Sequence, residues 1–205
     1  MTPRKLVVVT AGLSQPSSTR LLADRLAAAT RRALVAQRVE VGTEVIELRD
    51  HAHDLTNHLL TGFPSQSLRT AITHTAEADG LIAVSPIFSA SYSGLFKSFF
   101  DVLDADSLSG KPVLIAATGG TERHSLALEH ALRPLFSYLR AVVVPTAVYA
   151  ASSDWGQGDS DAGALARRIN RAAGELADQV SVSRSVGPLD PFDDVVPFDQ
   201  LLLGN

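Results

Sequence analysis

Cysteine is absent from the 205 residues. That removes disulfides, thiolate nucleophiles, cysteine-ligated metals and iron–sulfur clusters from consideration. No apolar run approaches the roughly 18 residues of a membrane span, and no apolar leader precedes the first hydrophobic run near Met1. No block of Lys and Arg occurs, and the formal net charge is −4. A nucleic acid or an anionic membrane surface is therefore not the expected partner. The expectation is a cytoplasmic protein. Three catalytic signatures are also missing. The first strand is not followed by a phosphate loop with its lysine or by G-x-G-x-x-G. No G-x-S-x-G elbow occurs, and Ser85, not an Asp, ends the third strand.

What is present is an alternation. Four short runs are apolar on consecutive residues: Leu6–Val9, Leu81–Val84, Val113–Ala116 and Ala141–Val144. Such runs fit strands buried on both faces of a parallel sheet. A fifth, Thr43–Leu48, mixes charge with apolar residues and reads as an edge strand. Between the runs lie helical stripes: Leu22, Leu26, Ala29 and Ala33; Leu128, Leu132, Leu135 and Leu139; Leu165, Ile169, Ala172, Leu176 and Val180. Further helices are expected around Ser67–Ala78 and Gly94–Leu103. The pattern predicts an α/β fold with a doubly wound five-stranded parallel sheet in the flavodoxin-like order 2-1-3-4-5. Residues 1–182 read as one domain. Residues 183–205 read as a tail, whose apolar Phe192, Val195, Val196, Phe198 and Leu201–Leu203 should pack on the domain or on a second subunit. His51–Ser65, with His51, His53 and His58, reads as a solvated loop and not as a metal site.

Ligands of open α/β sheets bind beyond the carboxyl ends of the strands, at the switch point. Three loops gather there. The first, "TAGLSQPSSTRLLADRL", has hydroxyls at Ser14, Ser17, Ser18 and Thr19 at a helix start, where free N–H groups suit an anion. The second, "SPIFSASYSGLFKSFFD", is stiffened by Pro86. Its small Ser89, Ala90 and Ser91 leave room for a flat ligand beside Tyr92, and Ser93 and Gly94 open the next helix. The third, "ATGGTERHS", offers Gly119–Gly120, free to take positive φ and present bare N–H groups, with His124 close behind. Together they outline a phosphate seat, a flat slot and a backbone clamp, a shape that suits flavin mononucleotide.

These same stretches, with "ATGGTERHSLALEHALRPLFSYLRA", resemble the NADPH-dependent FMN reductase family. The likeness is to the branch that supplies reduced flavin to luciferase-like monooxygenases, and it covers Lys5 to about Val180. The first motif departs from the commoner family form, which has Ser after the first Gly and Arg two further on. Here those places hold Leu13 and Gln15, or Gly12 and Ser14, according to where a gap is set. The resemblance implies that Ser14, Ser17, Ser18 and Thr19 hold the FMN phosphate. It implies that Pro86, Ile87, Phe88, Ser91, Tyr92 and Ser93 line the ribityl chain and ring. Thr118, Gly119 and Gly120 would meet the pyrimidine edge, with His124 nearby. It further implies FMN and NADPH or NADH as cofactors, a homo-oligomer (dimer or tetramer) and a flavin-dependent monooxygenase as partner.

Hydride transfer from a nicotinamide to flavin requires no side-chain acid or base, so no catalytic residue and no metal is assigned. Two alternatives stay open at this point: an FMN-containing quinone or azo reductase, and a non-enzymatic electron carrier of flavodoxin type. Pro134 cannot donate to the His130 carbonyl, so the helix around it should kink or carry a π-bulge. In related reductases this helix lies at a subunit contact, which implies that His130 reaches an interface near the flavin.

Overall fold

Consecutive apolar residues of the first strand point into two different cores. In β1 (Arg4–Thr10), Leu6 and Val8 pack with Leu22, Leu26, Leu176 and Val180, from α1 (Ser18–Ala36) and α6 (Ala164–Val182). Val7 and Val9 pack on the opposite face. There they meet Leu68 of α3 (Gln66–Glu77) and Phe96, Phe99 and Phe100 of α4 (Gly94–Asp101). The same alternation runs through β3 (Gly80–Phe88) and β5 (Pro112–Gly119). This is why these runs carry no polar positions: each face is covered by helices. The computed structural model describes residues 3–155 and 163–183; the tail beyond Ser183 lies outside them.

The sheet is a parallel α/β sheet with helices on both faces. Among the described residues it contains seven strands, in the order β2 (Val41–Glu47), β1, β3, β5 and β6 (Val142–Val143), with β4 (Ser91–Tyr92) paired to β3 and β7 (Val148–Ala151) paired to β5. β2 (Val41–Glu47) is the outer strand, with Gly42, Thr43 and Glu44 exposed. The five-strand expectation is corrected in two places. A two-residue strand, β4 (Ser91–Tyr92), folds back antiparallel on Ile87–Phe88. The last apolar run gives only β6 (Val142–Val143), against Pro112–Val113. β7 (Val148–Ala151) then rejoins β5 at Ala116–Gly119. Pro145 has no N–H to offer a ladder between them. The groups left over there find side chains instead. Arg133 donates to the carbonyls of Val144 (3.2 Å) and Pro145 (3.1 Å). Glu175 accepts from the Thr146 N–H (2.7 Å) and hydroxyl (2.6 Å).

The segment expected to be a polar loop is instead a 3₁₀ turn, Leu48–His51, followed by α2 (Ala52–Thr61). Its stop is Gly62, at φ 78°, whose N–H bonds to the His58 carbonyl at 2.8 Å, a left-handed helix cap. Only Leu55 of this helix is buried, so the apolar stripe that would have revealed it is missing. Near Pro134 the chain does form a π-helical turn, Leu128–Leu132, before α5 (Arg133–Tyr138). His130 lies in that turn and is exposed. Among the described residues no helix is long and apolar enough to cross a membrane.

Charges collect at the amino end of the strands. Arg4 pairs with Asp79 at 3.0 Å, and Asp79 also accepts from the Lys5 N–H at 2.8 Å. Lys111 is buried there and donates to the carbonyls of Ala76 (3.0 Å) and Ala78, closing the end of α3. Burial lowers its pKa to about 8, while nearby Asp79 pulls the other way. Between about pH 8 and the ordinary lysine value, the unfolded chain binds this proton and the folded chain does not. Stability should therefore rise as pH climbs through that window. Urea unfolding at pH 7.5 and 9.5 tests this: the wild type gains stability at the higher pH, and Lys111→Met does not.

Candidate functional site

The strand register carries three chain segments to one edge. Thr10 ends β1 opposite Val84, Ser85 lies opposite Ala117, and Pro86 opposite Thr118. The loops after β1, β3 and β5 therefore leave the sheet side by side.

The first loop turns into α1 through Ser17. Its side chain accepts from the Arg20 N–H at 3.2 Å and its carbonyl from Leu21 N–H at 3.0 Å, an N-cap. The N–H groups of Ser18 and Thr19, orphans at any helix start, have no backbone acceptor among the described residues. Gly12 is what lets the loop close: a Cβ there would stand 2.1 Å from Ser17 Oγ. Ser14 and Ser18 are exposed and Ser17 is half-buried. Thr19 instead is buried and shares a 2.8 Å hydrogen bond with Thr118, so the start of α1 is tied to the end of β5. Thr10 is buried too, and its hydroxyl has no partner.

The second loop is a hairpin the sequence did not announce. Ser89 and Ala90 take φ of 48° and 68° between the paired Phe88 and Ser91, as a two-residue turn of primed type requires. Neither is glycine, so each carries strain of about 1–2 kcal/mol. Part of that is offset because glycine would cost more on folding. Ala90→Gly should raise stability by about 0.5–1 kcal/mol, or about 2 °C in Tm; calorimetry checks it. Ser85 fixes the base of the hairpin, accepting from the Ser93 N–H at 3.0 Å. Ser93 caps α4 through Phe96 N–H at 3.2 Å and is itself buried. Pro86 is buried, Ile87, Ser91 and Tyr92 are half-buried, and Phe88 is 49% exposed. The Tyr92 ring leans on Phe96, their centroids 5.8 Å apart, at the end of a stack reaching Phe100 and Phe136.

In the third loop neither Gly119 nor Gly120 uses the freedom of a positive φ. The small residue at Gly119 is needed for space. A Cβ there would lie 2.0 Å from the Tyr149 hydroxyl, which donates to the Thr121 carbonyl at 2.8 Å. Burial and the nearby Glu122 and Asp154 hold that phenol above its ordinary pKa, so it remains a donor. Glu122 accepts from Ser153 at 2.8 Å, tying the loop to the turn after β7. Gly120 and His124 are exposed, His124 in the 3₁₀ turn Glu122–His124.

The structure thus joins Thr19 to Thr118 directly, and sets Pro86 opposite Thr118 across the β3–β5 pairing. His124 makes no hydrogen bond to the other candidates. Thr10, Arg49 and Tyr149 are absent from the sequence-derived set. Thr10 was legible as the polar residue ending the first apolar run. Tyr149 belongs to a strand that the sequence pattern did not reveal. Among the described residues no group of His, Asp and Glu is arranged to hold a metal ion. The chemistry on offer is anion binding by dipoles at a helix start, next to an apolar hairpin and a buttressed backbone turn.

A family model described as NADPH-dependent FMN reductase matches residues 4–156, which contain all three loops. An FMN reductase (NADPH) of Pseudomonas aeruginosa is 39% identical over 175 residues, 85% of this chain and 91% of that protein. The NADH-dependent FMN reductase SfnE of Pseudomonas putida is 36% identical, over 84% of this chain and 90% of its own length. A crystal structure of an oxidoreductase from Corynebacterium diphtheriae superposes with a TM-score of 0.85 at 46% identity, covering 90% of this chain and all of that one.

Proposed function

The chain belongs to the NADPH-dependent FMN reductase family, and we infer from this and from its three loops that it is an NAD(P)H:FMN oxidoreductase. The observation that carries the reading is the junction of the helix start with the end of β5 through Thr19 and Thr118, inside the region the family shares. The residues fit the flavin. A phosphate monoester needs N–H and O–H donors without a large pocket, and the α1 start has two N–H groups with no backbone acceptor among the described residues, beside outward hydroxyls.

Ser14, Ser18 and those N–H groups would receive the phosphate, with Ser17 and Thr19 holding the turn in shape. Pro86, Ile87, Phe88, Ser91 and Tyr92 would flank the ribityl chain and ring, on a base fixed by Ser93. Thr118, Gly119 and Gly120 would meet the pyrimidine edge, with His124 at its margin. Bound FMN supplies the hydride acceptor. The chain's own contribution is orientation: Tyr149 steadies the backbone at Gly119, and aimed N–H groups there favour negative charge on the ring. The apolar hairpin keeps water from one side of the slot.

The same reading covers the cytoplasmic setting, a homo-oligomer and a partner monooxygenase that consumes reduced flavin. Leu60, Phe63 and Tyr138, 81%, 78% and 85% exposed, favour pairing of copies. His130 in its π-helical turn is proposed to lie at that contact. Anaerobic mixing with FMN and NADPH or NADH tests the activity. Bleaching of the flavin band at a catalytic enzyme level is the expected result, and no bleaching with either nicotinamide overturns the reading.

A further inference from the structure

Loop one, from Ala11 to Thr19, contains no basic residue. A phosphate bound by dipoles alone would be held weakly, since charge-assisted hydrogen bonds are about twice as strong as neutral ones. Arg20 is nearest in sequence, yet its guanidinium is engaged elsewhere, at 2.8 Å on Asp24 and against Glu47. The cation that reaches the loop comes from outside it. Arg49, in the 3₁₀ turn after β2, donates from Nη1 to the Leu13 carbonyl at 3.4 Å. In the amide orientation that satisfies both groups, Gln15 accepts from Nη1 and Nη2 of Arg49, each at 3.1 Å. Nε faces Asp50 at 3.5 Å, but Asp50 is 66% exposed and that pair is weakened by solvent. A guanidinium has five N–H donors; these contacts leave one on Nη2 without an acceptor among the described residues.

We propose that Arg49 supplies the positive charge for the flavin phosphate, gripping loop one through Leu13 and Gln15 and turning its remaining donor to the phosphate beside Ser14. The proposal rests on the FMN reductase reading and adds a residue that the loop motif itself does not contain. A guanidinium suits the task because its planar fork can hold the loop and still present charge to an oxyanion.

The test compares two ligands that differ only in the phosphate. FMN and riboflavin are titrated against the full chain, followed by flavin fluorescence, for wild type, Arg49→Gln and Arg49→Lys. For Arg49→Gln, FMN affinity should fall about tenfold while riboflavin affinity changes less than about twofold. Arg49→Lys should recover most of the preference for FMN, and the preference of the wild type and of Arg49→Lys should weaken with salt while that of Arg49→Gln does not. If both flavins weaken equally in Arg49→Gln, Arg49 merely shapes the loop and the proposal is overturned. Unchanged FMN affinity overturns it as well. Wild-type protein that binds neither flavin would overturn the functional reading along with it. Circular dichroism confirms that each variant is folded before titration.

Discussion

Gly12→Ala weakens FMN binding by about two orders of magnitude while lowering stability by only about 1 kcal/mol; this is the expected result of adding one methyl group to the first loop. The new Cβ would sit 2.1 Å from Ser17 Oγ, 3.1 Å from Ser17 Cβ and 3.2 Å from Thr19 Cβ. The first distance is impossible, so the Ser17 side chain must turn away and give up the Arg20 N–H. Loss of such a cap costs about 1 kcal/mol, which a helix of 19 residues packed along the sheet tolerates. Binding is less forgiving. The amides of Ser18 and Thr19 and the hydroxyl of Ser18 all take their direction from that turn. A displacement of about 1 Å in a positioned group can cost about 100-fold. Fluorescence titration with FMN and urea unfolding, run on the same preparations, separate the two effects. Unchanged FMN affinity would move the phosphate away from the start of α1.

The second large effect is at Gly119. Alanine there meets the Tyr149 hydroxyl at 2.0 Å and the ring carbon that bears it at 3.1 Å. Tyr149 is on a strand, buried, with its hydroxyl on the Thr121 carbonyl, so the ring has no free direction. Either the ring or the loop must shift. Overpacking of this kind costs about 1–3 kcal/mol, and the Tyr149 hydrogen bond goes with it, about 1 kcal/mol more. Gly119→Ala should therefore lose about 2–4 kcal/mol in unfolding free energy, and at least about tenfold in kcat/KM for FMN through misdirection of the loop. Removing the obstructing hydroxyl should help. Tyr149→Phe alone should cost about 1 kcal/mol, whereas Gly119→Ala with Tyr149→Phe should be more stable than Gly119→Ala alone. A double-mutant cycle reads that coupling directly. Strict additivity of the two substitutions would mean that the contact is not what constrains Gly119.

The parts of the fold visible in the sequence are those where one physical rule acts alone. Leu6–Val9 and Val113–Ala116 are apolar throughout because both faces are covered, and nothing else produces that pattern so economically. Pro134 announced an irregular helix because a missing N–H has a local consequence, here the π-helical turn at Leu128–Leu132. The parts not visible depend on partners distant in the chain. The helix at Ala52–Thr61 buries one leucine, so periodicity could not reveal it, and only Gly62 hinted at an end. The hairpin at Ser89–Ala90 lacks the Asn-Gly pair that signals such turns; its conformation is enforced by the pairing of Ile87 with Tyr92. Gly119 was read for the freedom of its backbone, whereas the reason visible in the fold, proximity to Tyr149, lies thirty positions away. Arg49 could not be connected with loop one without knowing that the turn after β2 folds beside it.

The two ends of the sheet divide their duties. At its foot, Arg4, Asp79 and Lys111 stitch strands and helix ends into a fixed base. At its crown, hydroxyls and amides join the loops to one another, Thr19 to Thr118 and Ser85 to Ser93, while ion pairs such as Arg20–Glu47 and Arg168–Asp154 sit at the margins. Such a protein can exchange crown residues over evolutionary time, altering which nicotinamide or acceptor it prefers, without reopening the question of how it folds. Substitutions of exposed crown residues such as Ser14, Phe88 and His124 should consequently shift selectivity more readily than they shift melting, and those of the foot should do the reverse.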